Sequence, residues 1–291
     1  MARAPSGGRR RTLTEVRKRA AIAATIAGLF ACEPPPRPIP LPQSTAPQAP
    51  AASPIGVPSP EATASRMAHV PEGTLRIGSE FGKGDERPVH AVHISAFDMD
   101  VTEVTVAQYG ACVQARACLA AGAEVEWAGV TQEDQRLYAD MCNADRPDRQ
   151  DHPINCVDWN AADAFCHWKG KRLPTEEEWE YAACGGECGE TVNGAAQQKF
   201  FMGSHRWPFT GPVAKGAAGA FGLYDMAGSV WEWTASAYCP YDHPGCGDPR
   251  RVVRGGSWSV VDFSFVRLTD RSPSPPSTKN TSIGFRCARA S

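Results

Sequence analysis

Cysteine is the residue type in this chain with the widest chemical reach. There are eleven in 291 residues, and a thiol can form a disulfide, bind zinc or copper(I), or act as a redox nucleophile. Cys184-Gly-Gly-Glu-Cys188 has the C-x₃-C form of half a zinc site, and Cys239-Pro-Tyr-Asp-His-Pro-Gly-Cys246 sets His243 between two thiols. Neither has a fourth ligand close by in sequence. In an oxidising compartment both read as small disulfide loops.

The N-terminus supplies that compartment. Arg9, Arg10, Arg11, Arg17, Lys18 and Arg19 precede an apolar run from Ala20 to Ala31, the pattern of a secretory signal. A helix needs about 20 apolar residues to span a bilayer, so this run is too short to be an anchor by itself. Leu29-Phe-Ala-Cys32 looks like a bacterial lipobox, with Cys32 as the lipid-modified residue. Setting Cys32 aside leaves an even number of cysteines for disulfides. Spacing alone does not fix their connectivity, but proximity favours Cys112 with Cys118, Cys142 with Cys156, Cys184 with Cys188 and Cys239 with Cys246.

Other reactive types are accounted for by structure. Ser257, Ser259 and Ser264 have no histidine nearby in sequence to activate a hydroxyl. His90 and His93 lie three apart in a strand-like run, which puts them on opposite faces and argues against a shared metal. Glu176, Glu177 and Glu178 fall in a first helical turn, where negative charge favours the helix dipole.

The elements that carry these residues follow from local pattern. Residues 1–31 are expected to be signal peptide, and residues 32–66 a tether rich in Pro, Ala and Ser that lacks the apolar side chains for a core. Residues 67–291 form the globular domain. Met67 to Gly78 and Pro88 to Phe97 alternate as strands. Thr105 and Gln108 make a capping box for a helix through about Ala115, with Val106, Tyr109 and Val113 inward. Residues 119–150 look like a loop-rich insertion, and His152 to Asn160 is strand-like before a turn. Asn160 is expected to cap a helix from Ala161 to Lys169 with Ala162, Phe165, Cys166 and Trp168 inward, and Thr175 with Glu178 forms a second capping box. The formal charge of −2 is spread evenly apart from the basic N-terminus, so nothing points to nucleic acid.

Several uncommon strings then occur in one order: Lys171-Arg-Leu-Pro-Thr-Glu-Glu-Glu-Trp-Glu-Tyr181, Gly222-Leu-Tyr-Asp-Met-Ala-Gly-Ser-Val-Trp-Glu-Trp233, Arg254-Gly-Gly-Ser-Trp258 and Gly284-Phe-Arg-Cys287. Together they resemble the formylglycine-generating enzyme (sulfatase-modifying factor) family over about Val70 to Ala288. The resemblance implies an α+β, C-type-lectin-related fold, loop-rich and disulfide-stabilised, with Cys166 bonded to Cys287. It implies one calcium site from Asp225, which replaces the usual asparagine, the carbonyls of Gly228 and Val230, and Glu232. All are oxygen donors suited to a hard cation. The reading without metal has Glu232 pairing with an arginine such as Arg254. A second calcium loop of the family is not recognisable between Glu190 and Gly219. Arg254, Arg267, Arg271 and Arg286 match recurring family arginines expected to tie the core by bidentate hydrogen bonds.

In the oxidases of the family two cysteines bind copper(I), and the matching positions here are Val260 and Phe265. Neither side chain can ligate copper or exchange disulfides, so copper is not expected and no catalytic residue is assigned. Fold alone does not fix function. The expectation is a lipid-anchored domain at the periplasmic or outer-membrane face of a bacterial envelope that binds a peptide, protein or glycan without making formylglycine. The alternative is a family oxidoreductase acting on sulfatase cysteines or on a secondary metabolite.

Overall fold

The computed structural model describes residues 66–186, 209–259 and 267–291. Cys32, Cys188, Val260, Ser264 and Phe265 lie outside them, as do the signal segment and tether. The expected strand at Met67 to Gly78 is two, β1 (Met67–Val70) and β2 (Gly73–Ile77), because the Pro71-Glu72 corner interrupts the ladder. β3 (His90–Ile94) pairs antiparallel with β2, and β4 (Phe97–Asp100) lies between β1 and β9 (Ala288–Ala290). The third sheet runs β7 (Arg271–Ser274), β6 (Arg251–Arg254), β5 (Trp231–Ala237), β8 (Ile283–Gly284). In it Glu232 sits opposite Arg254 on one side and Gly284 on the other.

Helix α1 (Val106–Gln114) starts where the capping box puts it, with Thr105 and Gln108 bonded reciprocally. α2 (Gln132–Ala139) lies inside the stretch read as loop, held by a Thr131/Asp134 box that a short polar sequence conceals. α3 (Trp159–Trp168) is capped by Asp158, whose side chain accepts from the Ala161 amide at 2.8 Å; Asn160 is the second helical residue instead. The start shifts because both residues are good caps and Asp158 comes first. Trp168, expected inward, is exposed and carries the Lys169 ammonium over its ring. His152 to Val157 forms an isolated bridge at Pro153 and no strand. α4 (Glu176–Cys184) begins at the Thr175/Glu178 box.

Two large apolar clusters carry most of the packing among the described residues, with a small third around Val125, Cys142 and Cys156. One joins Leu75, Ile77, Phe97, Met99, Trp179 and Leu223; the other joins Tyr109, Phe165, Leu173, Trp233, Val253 and Phe285. In the second, the rings of Phe165 and Phe285 meet edge-on with centroids 5.5 Å apart. Cys166–Cys287 closes it, and Cys112–Cys118, Cys142–Cys156 and Cys239–Cys246 close local loops. Cys184 is also disulfide-bonded, while Cys188, its expected partner, lies outside the described residues. Disulfides at this density belong to an oxidising compartment.

Candidate functional site

The strand partner of Arg254 across β5/β6 is Glu232, yet the Glu232 side chain does not pair with it. Glu232 accepts from Arg286 through both oxygens, at 2.7 Å from Nε and 2.8 Å from Nη2, and also from the Trp179 indole at 2.8 Å. Arg254 instead pairs with Glu180 of α4, and Arg271 with Glu176 at 2.6 Å. Each of these arginines is buried, so a carboxylate partner and nearby carbonyls must replace water. Arg286 fills its remaining valences on the carbonyls of Asp100, Val101 and Tyr224.

Arg286 thereby pins the loop that leads into β5. That loop turns by left-handed residues, with φ of 59° at Asp225, 93° at Gly228 and 57° at Ser229. Such conformations in non-glycine residues persist only when the surroundings fix them. Here Gly228 donates to the Gly255 carbonyl and Trp258 to that of Ser229, both at 2.8 Å, and the Ala214 amide donates to Asp225 Oδ2 at 2.7 Å. Gly284 lies against the loop's end. A Cβ there would sit 2.6 Å from the Ile154 carbonyl oxygen and 2.9 Å from a Val230 methyl.

The loop and Arg286 bring together three acids, the buried Glu232 and Glu103 and the half-buried Asp225. Glu103 sits just before α1, and sequence reasoning missed it. Neither of its carboxylate oxygens has a hydrogen-bond partner, and its polar neighbours are the Asp225 carboxyl and the Ser229 hydroxyl. Burial, then the Asp225 charge, pushes the Glu103 carboxyl well above the usual range, opposed by Arg286. Burial likewise raises Asp225, against the Ala214 amide and Arg286. The only signal in sequence was an acid inside the short run Val101-Thr-Glu-Val104.

Of the expected calcium ligands, Asp225 and Glu232 share this neighbourhood with the Gly228 and Val230 backbone between them. Glu232 is largely committed to Arg286 and Trp179. Among the described residues no three His, Cys, Asp or Glu side chains are arranged to hold a metal ion. The orphaned Glu103 oxygens beside Asp225 nevertheless suit a hard cation that completes its shell with backbone carbonyls.

The second region of interest is the segment after Arg254. Ser257 and Ser259 hydrogen-bond each other at 2.9 Å, and among the described residues no base reaches either. A nucleophile needs one. Trp258 is half-buried, donates to the Thr281 carbonyl at 3.3 Å, and meets Phe209 edge-on. Behind Phe209 a buried knot links Arg149, Asn143, Thr210 and His152, with His152 Nδ1 3.0 Å from the Thr210 hydroxyl. Burial lowers the His152 imidazole pKa. The wall is therefore aromatic and backed by a hydrogen-bonded knot.

The family model of the "Sulfatase-modifying factor enzyme 1-like domain" matches residues 54–291. A formylglycine-generating enzyme of Streptomyces coelicolor is 31% identical over 82% of the chain and 93% of that protein. The mouse "Inactive C-alpha-formylglycine-generating enzyme 2" is 29% identical over 76% of the chain and 85% of that protein. The serine/threonine-protein kinase pkn1 of Chlamydia caviae is 32% identical over 79% of this chain, but the match spans only 39% of the kinase. Among solved structures, PvdO from Pseudomonas aeruginosa superposes with a TM-score of 0.59 at 25% identity, covering 77% of this chain and 94% of that one.

Proposed function

The chain belongs to the sulfatase-modifying factor family, and within it we propose a non-catalytic binding or scaffold module, tethered to a bacterial membrane by a lipid on Cys32. The observation that carries this is the state of the thiols. All nine described cysteines are disulfide-bonded, and Val260 and Phe265 stand where the family's oxidases place their copper ligands. Copper(I) selects thiolates, and neither hydrocarbon side chain can replace one. The Trp258/Phe209 wall remains as a surface for a peptide or glycan.

Calcium fits the acid cluster as a structural ion. Asp225, Glu103 and the carbonyls of Gly228 and Val230 would hold it, with Glu232 fixed beside them by Arg286. Bound there it would neutralise the Glu103 and Asp225 carboxyls and lock the loop into β5.

The test is chemical. The full chain is incubated with copper(I), oxygen and a Cys-x-Pro-x-Arg peptide, and the peptide mass is followed. An unchanged mass is expected. Conversion of cysteine to aldehyde would instead establish the oxidoreductase alternative. For the tether, Cys32→Ser is expected to move the protein from the membrane fraction to the soluble one; retention would show that another element holds it.

A further inference from the structure

Between α1, the loop that leaves it and the start of α3 lies a recess of about 530 Å³, lined by Arg116, Ala120, Ala121, Asp158, Ala161 and Lys279 among others. That volume is in the range of ligand pockets. We propose that this recess binds the C-terminal end of a short extended peptide, with the free carboxylate held by Arg116 and Lys279. The proposal rests on the reading of the domain as a binding module and names a site apart from the Trp258 wall.

Arg116 is the first observation. It occupies the left-handed position after α1, φ 60°, where glycine is the usual residue. The turn is fixed by the Ala117 amide on the Cys112 carbonyl at 3.1 Å and by the Cys112–Cys118 disulfide. A bulky residue held in that conformation is strained. Its guanidinium has no ion-pair partner among the described residues. Lys279 is fixed through its backbone by two hydrogen bonds to Glu126, and its ammonium meets only the exposed Glu124 carboxylate, at 3.6 Å.

Charge balance is the second. Asp158 is the one acid in the lining, and one of its oxygens is committed to capping α3. Lys279 already meets Glu124, so Arg116 is the cation of the lining without an ion-pair partner among the described residues, and it favours a carboxylate ligand. The third is the backbone. From Leu119 to Glu124 no amide N–H makes a hydrogen bond among the described residues. A neighbouring extended chain can pair with such a stretch, as in recognition by strand addition. The alanine floor leaves room for an apolar terminal side chain.

The probe is acetyl-Ala-Ala-Leu with a free carboxylate, titrated calorimetrically into the full chain against its C-terminal amide. The acid is expected to bind at least about tenfold more tightly than the amide, since only the acid offers Arg116 and Lys279 a charged acceptor. Arg116→Gln should remove that preference with the melting temperature unchanged, because Arg116 is exposed. Ala164→Trp, from the exposed face of α3 that lines the recess, should block acid and amide alike. Equal binding of acid and amide, undiminished binding by either variant, or no binding at all overturns the proposal. Binding of glucuronate but not the peptide would also overturn it. None of these outcomes depends on the aldehyde assay, so the two readings fail separately.

Discussion

Arg286 grips Glu232 side-on, Nε and Nη2 each on its own carboxylate oxygen, with both side chains at most 1% exposed. The pair joins β5 to the C-terminal Gly-Phe-Arg-Cys segment, and through three carbonyls Arg286 also holds β4 and the Asp225 loop. Removing one partner strands the other's charge in the interior, which destabilises by about 3–5 kcal/mol. Arg286→Met should therefore lower the unfolding free energy by that amount in denaturant titration. Arg286→Lys should recover little of it, since one ammonium cannot reproduce the two parallel bonds. A loss under about 1 kcal/mol would mean that Glu232 finds another partner.

Disulfides should differ by the chain they close. Cys166 and Cys287 are 121 residues apart, Cys112 and Cys118 only 6. On the chain-entropy account the long closure contributes about 5 kcal/mol and the short one about 2 kcal/mol. Double alanine variants of each pair, compared by urea midpoint, should keep that order. The reverse order would place the stabilisation in native packing around the short loop.

What the sequence made legible was local. Thr105/Gln108 and Thr175/Glu178 are boxes whose partners lie three positions apart, so their helices start as expected. The family strings carried the fold as a whole, because motifs with several tryptophans and glycines in fixed order are rarely coincidental. Partner choice among buried charges was not legible. Glu232 was weighed against Arg254, its cross-strand neighbour, but takes Arg286, 54 residues on, while Arg254 turns to Glu180. Strand register puts two Cα atoms opposite each other without deciding where long side chains end. Glu103 escaped for the same reason: it meets Asp225 across 122 residues, with no periodic pattern to mark it.

Glu176 should give the fold a pH dependence. Burial raises its carboxyl from the usual 4.5 to about 7, outweighing the pull of Arg254 and Arg271, with Glu177 and Glu180 adding to the rise. The native state thus holds a proton that the unfolded chain has lost between about pH 4.5 and 7, so stability falls as pH rises through that window. The drop is on the order of 3 kcal/mol at about 1.4 kcal/mol per pH unit. In Glu176→Gln the slope over this window should flatten, whatever the variant's absolute stability. An unchanged slope would assign the titration to another acid.

Calcium removal should act through Asp225 and Glu103. With a cation absent, the Glu103 and Asp225 carboxyls share one region with only the Ser229 hydroxyl near Glu103, and the Asp225 loop loses a restraint. The full chain melted with and without a calcium chelator should show a lower midpoint in chelator. Asp225→Asn keeps an oxygen donor and should keep the shift, whereas Asp225→Ala should abolish it. Glu103→Gln separates this from simple charge repulsion. If repulsion alone governs the cluster, the amide raises the midpoint equally with and without chelator; if calcium is held there, the amide narrows the gap by weakening the ion. A midpoint indifferent to chelator in the untreated protein would leave the acids paired by a shared proton, and the calcium reading would be wrong.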